Sequence, residues 1–373
     1  MTSRERLSAA LRKEPVDRVP VNFYEIGGFD VDTENPDPFN IYSSESWKRL
    51  LKLAADRSDL ILMRTPKCLT RSEAYEEMAS ETIQDDGKER LITTTISLGN
   101  RQFTQVQKID CNLDTIWTPK HFAMQPEDID ILLNLPEDFF REEISVENLI
   151  ADETELGDRG LLMVDTADPL CIAASLFDFG AYTIAAMTEK NKFHKLLNLI
   201  LPGLLGKTEK TAREFPGRLW RIYGPEYATP PYLPPDLFRE YVNTYTGEMI
   251  KIIQKHGGMV RLHSHGKIKQ VLDDIIAMGV DAIDPVEPPH QGDVDLKDAI
   301  SRYGSSLTFF GNIEITDIEN KEPEEFRAIV HRTLSEAQIA PGFVLMPSAS
   351  PYGRDVPDKT IRNYEIMLEE VGA

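Results

Sequence analysis

Short apolar runs alternate along this chain with longer stretches whose apolar residues recur at helical spacing. "RVPVNFYE" (18–25) is strand-like, and "ESWKRLLKLAA" (45–55) follows with Trp47, Leu50, Leu51 and Ala54 on one helical face. "DLILMRT" (59–65) is the next strand. The period then drops to two in "ERLITTTISLGNRQFTQVQKI" (89–109), rich in Thr, Ile and Val, with "GNR" as its turn. We read an inserted antiparallel β element from about 75 to 120. The strand–helix rhythm returns with "GLLMVDTADP" (160–169) and "GRLWRIYGPE" (217–226). The long helix "PPDLFREYVNTYTGEMIKIIQKHGG" (234–258) ends on glycine, and "MVRLHSHG" (259–266) is the strand after it. Further strand–helix units follow at 280–304 and 307–338, and a last strand at 342–348 precedes a closing helix.

Strands near positions 20, 60, 162, 220, 261, 283, 309 and 345 make eight. Eight parallel strands with helical crossovers predict an α/β protein of the (β/α)₈ TIM-barrel type, one domain over 1–373, with N-terminal helical additions. A doubly wound open sheet is the alternative, but its usual nucleotide signatures, G-x-G-x-x-G after the first strand or G-x-x-x-x-G-K-[ST], do not occur.

Composition narrows the function classes. The 373 residues are 41% hydrophobic, ample for a buried core, and the net charge is −21. Such a surface repels phosphate, so no nucleic-acid partner is expected. No apolar run is long enough to span a bilayer, and "MTSRERLSAALRKEPVDRVPV" has scattered charges in place of a leader's apolar region. Cys68, Cys111 and Cys171 are too few and too scattered for a disulfide framework or a cysteine-rich zinc site. A cytoplasmic protein without membrane partners is expected.

In a barrel of this kind the chemistry collects at the C-terminal ends of the strands. The residues there are Glu25, Asp165 and Asp168, Tyr223 and Glu226, His263 and His265, Asp284 and Glu287, Asn312, then Ser348 and Ser350. Residues i and i+2 of a strand share a face, so His263 and His265 point together, toward the barrel axis, while Val260 and Leu262 suit the helix layer. Two imidazoles so placed can share one metal ion, with Glu226 or Glu287 from a neighbouring strand as third ligand. A hydrogen-bonded polar pair without metal is the plainer reading of the same residues. His121, His194, His256 and His331 fall on loops or helix surfaces and read as structural, and His290 lies in a proline-rich loop.

Several segments resemble the uroporphyrinogen decarboxylase superfamily: the opening "MTSRERLSAALRKEPVDRVPV", "TIWTPKHFAMQPEDIDILLNLP", "PPDLFREYV", and "HSHGKIKQVLDDIIAMGVDAIDPVEPP" followed by "DLKDAISRYGSSLTFFGNI". The resemblance spans essentially the whole chain and implies a (β/α)₈ barrel. True decarboxylases of that family use a pair of arginines soon after the first strand. The matching segment here, "VNFYEIGGFDVDTENPD" (21–37), has no Arg or Lys and is acidic, so it would repel a polyanionic tetrapyrrole. The family's other branch holds zinc methyltransferases that work with a corrinoid, using a His-x-Cys pair and a later Cys for thiol acceptors. His263 matches the first position. His265 stands in place of the Cys, and the region of Ser348 and Ser350 in place of the later one.

The resemblance therefore implies Zn²⁺ at His263 and His265 with Glu226 or Glu287, and a corrinoid (cobalamin) carried on a partner protein. Methyl transfer from a small oxygen-methylated substrate, such as an aromatic methyl ether, is the expected reaction. Glu226, Glu287 and Asp165 are the expected catalytic groups, and Glu25, Tyr223, Asn312 and Tyr352 the expected lining of the substrate pocket. Decarboxylation of uroporphyrinogen, a non-catalytic corrinoid- or tetrapyrrole-binding barrel, and metal-dependent hydrolysis are the alternatives. The sequence leaves open whether the chain forms a homodimer.

Overall fold

The computed structural model describes residues 1–24, 26 and 31–373. Its first strand, β1 (Leu60–Arg64), opens a parallel sheet, and the chain then leaves the barrel. β2 (Lys67–Arg71) runs antiparallel to the later β7 (Glu142–Ser145). Between them β3 (Ala79–Asp85), β4 (Glu89–Leu98), β5 (Arg101–Asp110) and β6 (Ile116–Lys120) form a four-stranded antiparallel sheet. The barrel resumes with β8 (Gly160–Ala167), β9 (Leu219–Tyr223) and β10 (Met259–His263). It continues through β11 (Ala282–Asp284), β12 (Thr308–Ile313) and β13 (Phe343–Pro347). The parallel order is β1-β8-β9-β10-β11-β12-β13.

The eighth position differs from the strand expected at 18–25. Among the described residues it is a single bridge, Val21 against Leu345, reinforced by Asn22 N–H to Leu345 O at 3.0 Å and Leu345 N–H to Pro20 O at 2.9 Å. Pro20 has no N–H to continue a ladder. On the other side Asp59 N–H donates to Val21 O at 2.7 Å, and the Asp59 carboxylate accepts Val21 N–H at 2.9 Å. A side chain thus replaces part of the missing ladder and joins the segment to both edges of the sheet.

Alternation along the strands sorts the core into two compartments. Leu60, Leu62, Trp220, Ile222, Val260 and Leu262 pack outward against the helices. Ile61, Met163, Leu219, Ala282, Phe310, Val344 and Met346 face inward. The helix Ser3–Leu11 plugs the N-terminal end of the barrel, adding Leu7, Ala10 and Leu11 to the inner cluster. Thr2 caps it: the Thr2 hydroxyl accepts Glu5 N–H, and the Glu5 carboxylate accepts Thr2 N–H.

The antiparallel element is larger than the 75–120 expectation, because β2 and β7 extend it to 67–145. β2 is exposed throughout and β7 is four residues long, so neither carries a readable alternation. The expected helix 234–258 is present as one helical run, α-helical over Pro235–Phe238 and Thr244–Lys255 with a π-helical segment, Arg239–Asn243, between them.

Asp59 is fully buried and pairs with Arg6 at 2.6 Å and Arg18 at 2.8 Å. Removing one partner of a buried ionic group costs about 3–5 kcal/mol because the other charges stay buried. Asp59→Asn is therefore expected to lower the urea midpoint by that order with the denaturant slope unchanged. An unaltered midpoint would show that closure does not depend on this carboxylate.

Candidate active site

The inward-facing positions become polar toward the C-terminal ends of the strands. β8 contributes Asp165, β9 contributes Arg221 and Tyr223, β10 contributes Arg261 and His263, and β11 contributes Asp284. Asp284 is the centre. Its carboxylate is fully buried, 2.8 Å from Arg261 Nε and 2.9 Å from His263 Nδ1. Burial alone would raise its pKa, but the Arg261 guanidinium and His263 hold it below the usual carboxylate range. An ionised Asp284 accepts a hydrogen bond from Nδ1–H of His263, which leaves Nε2 with a lone pair for a ligand. The Arg261 guanidinium is itself fixed over the Phe310 ring at 4.9 Å.

His265 lies just past the end of β10, half-exposed, with its ring centroid 5.5 Å from that of His263. Glu226 comes from the loop after β9, where its carboxylate accepts Gly224 N–H at 2.9 Å. Gly224 has φ +121°, and a Cβ there would lie 2.3 Å from Asp168 Oδ1, so only glycine lets this loop cross over Asp168. Glu226, His263 and His265 each offer one ligand atom, and these atoms lie within 4.8 Å of one another. Two imidazoles and a carboxylate are a donor set that suits a catalytic cation with an open position.

Of the two expected glutamates, the structure therefore brings Glu226 to the histidine pair. Glu287 is buried, accepts Gly266 N–H at 2.6 Å and stands 3.8 Å from His265 Nδ1, so it braces the histidine loop from behind. Asp165 pairs with Arg221 at 3.4 Å, and burial raises its pKa above the ordinary value despite that arginine. Tyr223 follows Arg221 on the strand, with the guanidinium 5.4 Å from its ring centroid, and burial pushes its phenol pKa up.

Two expected pocket residues lie elsewhere. Asn312 turns to the helix layer, where its Oδ1 accepts a hydrogen bond from Thr333 at 3.1 Å. Tyr352 is 55% exposed on the loop after β13, with its carbonyl accepting Asp114 N–H. Glu25 lies outside the described residues. Four of the other histidines have surface or helix partners: His194 with Glu240 and Tyr245, His256 with Glu209, His331 with Glu370, His121 with Ser175 O.

Sequence reasoning passed over Arg221, Arg261 and Tyr24. Arg221 is buried and donates to Tyr24 OH at 3.0 Å. The signal was present: an arginine in register with inward-facing Leu219 and Met259 must bury its charge, and a buried arginine needs an anion. Cys171 was also passed over. It lies under the Glu226 loop, and burial together with Asp168 and Glu226 pushes its thiol pKa up, so it stays a neutral thiol.

A cavity of about 390 Å³ lies beside the mouth, and Asp165 and Tyr223 are among its lining residues. The inserted sheet forms one wall with Thr94 and Ile96 of β4 and Gln105 and Gln107 of β5. Phe122, Phe139, Phe140 and Tyr75 supply apolar surface. The floor is the helix Lys190–Glu214, where Gly203 is needed because a Cβ would lie 2.3 Å from Phe140 O.

A second buried carboxyl lies behind Glu287. Glu314 is 5% exposed, is approached by Ser348 Oγ at 3.4 Å, and has its pKa raised from 4.5 to about 7 by burial and then by Glu287. Its proton is held more tightly in the folded chain than in the unfolded one. Stability from this group is thus full below about 4.5 and is lost as pH rises through about 7. Across that window wild type is expected to lose up to roughly 1.4 kcal/mol per pH unit relative to Glu314→Gln. Parallel denaturation curves from pH 5 to pH 8 test this, and equal pH slopes in the two proteins would refute it.

The uroporphyrinogen decarboxylase (URO-D) family model matches residues 119–371, and the chain belongs to that family. No curated protein matches the sequence at a significant level. Among solved structures, a methyltransferase from Methanosarcina mazei superposes with a TM-score of 0.65 at 18% identity, covering 100% of both chains. A GH5-4 broad specificity endoglucanase from Bacteroides salanitronis matches 63% of this chain and 78% of its own at TM-score 0.33 and 7% identity, too loosely to bear on function. No helix among the described residues is long and apolar enough to cross a membrane.

Proposed function

We propose that this URO-D family member is a zinc-dependent methyltransferase, moving a methyl group from a small oxygen-methylated substrate to a corrinoid on a separate protein. The observation that carries the proposal is the convergence of Glu226, His263 and His265 within 4.8 Å, with one imidazole already oriented by a buried carboxylate. The Methanosarcina mazei neighbour, a methyltransferase of the same fold, supports the reaction class.

The residues fit zinc. His263 and His265 are its preferred nitrogen donors, Glu226 adds one negative charge, and Asp284 supplies the outer carboxylate that orients a ligating histidine. Bound zinc would supply Lewis acidity toward an ether oxygen, greater with two imidazoles and a carboxylate than with electron-rich thiolates.

The chain's own residues do the rest. Asp284 keeps the Nδ1 proton of His263 and so presents Nε2. Gly224 N–H holds Glu226, and Glu287 holds the backbone that follows His265. Tyr223 keeps its phenol proton because burial disfavours the phenolate, and it can donate a hydrogen bond to oxygen in the cavity it lines. Arg221 orients Asp165, which lines the cavity. The cavity walls exclude water from the methyl group while the mouth stays open to a docking partner.

Zinc analysis and a methyl-transfer assay with a reduced corrinoid acceptor test the reading. Wild type is expected to carry one zinc per chain, and His263→Ala and His265→Ala to lose both metal and transfer. Asp284→Asn removes the outer charge and is expected to weaken zinc about 10–100-fold in a chelator competition. Full metal content and full transfer in both histidine variants would sink the idea.

A further inference from the structure

We infer that Asp168 is a positioning residue for Glu226, and that Thr246, on the helix Thr244–Lys255, holds it in that role. The inference rests on the zinc reading only for what Glu226 then binds.

Asp168 is the strand-end carboxylate to which the chemistry above gives no task. It follows β8, is fully buried and caps the helix Pro169–Ser175, where its Oδ1 accepts Cys171 N–H at 2.7 Å. Its other oxygen, Oδ2, accepts the hydroxyl of Thr246, itself fully buried, at 2.9 Å. The Asp168 N–H donates to Tyr223 O at 2.8 Å and so fixes the residue from which the Glu226 loop departs. A donor on each oxygen leaves the carboxylate one orientation.

Gly224 rests on that carboxylate. A Cβ there would lie 2.3 Å from Asp168 Oδ1 and 2.4 Å from Cys171 Cβ, so the loop backbone is seated on both. Gly224 N–H in turn holds the Glu226 carboxylate at 2.9 Å. The turn between them is a closed unit. Tyr227 N–H donates to Gly224 O at 3.0 Å, and Thr229 gives Glu226 O both its N–H at 3.1 Å and its hydroxyl at 2.6 Å. A rotated Asp168 therefore displaces Gly224, and the loop carries Glu226 with it, away from the histidine nitrogens now within 4.8 Å.

The helix is shaped to deliver Thr246. Phe238, Val242, Thr246 and Ile250 are all buried, at four-residue steps. In an α-helix each such step drifts by about 40°, which turns the row off the barrel within a few turns. The wider π-helical segment Arg239–Asn243 takes up the drift. His194 clasps that segment, with Nε2 2.8 Å from Glu240 Oε1 and Nδ1 2.8 Å from Tyr245 OH, two residues five apart in the chain. A threonine inside a helix ordinarily returns its hydroxyl to a carbonyl one turn back. The Thr246 hydroxyl goes to Asp168 instead.

Two readouts on the full chain test this. In metal-free crystals Thr246→Val, which removes the hydroxyl, is expected to move Glu226 out of the 4.8 Å grouping, and Thr246→Ser to keep it there. Thr246→Ala is expected to act as Thr246→Val does. Zinc affinity in a chelator competition is expected to fall about tenfold in Thr246→Val and to return to within about twofold of wild type in Thr246→Ser. A loss that runs through Glu226 disappears once Glu226 is changed. In a Glu226→Gln background Thr246→Val is therefore expected to weaken zinc by less than about twofold. Equal losses in both backgrounds, the mark of general loosening, would overturn the inference, and so would a Glu226 that stays in place in the Thr246→Val crystals. Wild type that binds no zinc defeats the metal reading alone, because the crystal comparison still decides what places Glu226.

Discussion

A carboxylate that is fully buried between an arginine and a histidine, Asp284, governs the mouth of this barrel. Taking it out of water costs several kcal/mol, recovered only if both partners keep their geometry. That requirement is what makes the site rigid. Arg261 is clamped between Asp284 and the Phe310 ring, His263 can present only one nitrogen, and Ser264 N–H ties the start of the histidine loop to Asp284 O at 3.0 Å. Apolar packing fixes which face of β10 looks inward. The buried charge fixes how its last side chain is turned.

The same device works at the seam. Asp59 stands between Arg6 of the plugging helix and Arg18 of the segment that closes the sheet. The hydrophobic pattern cannot close the barrel there, because Pro20 removes a donor and the ladder shrinks to one bridge. A carboxylate that accepts both guanidiniums and the Val21 amide satisfies three donors at once. Register is thus set by ionic groups at two places where alternation leaves it free. A slip of one residue at either would strand a charge in the core.

Much of this was legible in the sequence. Seven of the eight strand positions lie where short apolar runs stand between helical ones, and glycines mark several helix ends. The histidine pair read as one-sided, and the structure puts the two rings side by side. What was not legible depends on contacts between distant segments. β2 and β7 are short and exposed, so their pairing shows only once residues 67 and 145 are seen to meet. Glu226 and Glu287 are equivalent on paper. Only the loop path set by Gly224, and the Gly266 amide that occupies Glu287, separate them. Asn312 shows the limit of the strand-end rule, since its side chain finds Thr333 on the helix layer.

The carboxyl groups around the mouth also divide into two kinds, and the division comes from placement. Asp284 has cations on two sides and stays ionised despite full burial. Asp168 and Glu314 are buried with hydroxyl and amide partners and with other carboxylates nearby, and each is raised to about 7. Carboxyls crowded around one mouth cannot all ionise without mutual repulsion. Holding the protons of Asp168 and Glu314 more tightly than an ordinary carboxyl does lessens that repulsion, while Asp284 keeps its charge beside arginine. Environments that push like groups apart in pKa are how one set of side chains is given separate tasks. In this barrel the arginines on β9 and β10 draw that line, which is why two residues that look like misplaced charge in an apolar strand belong to the chemistry of the mouth.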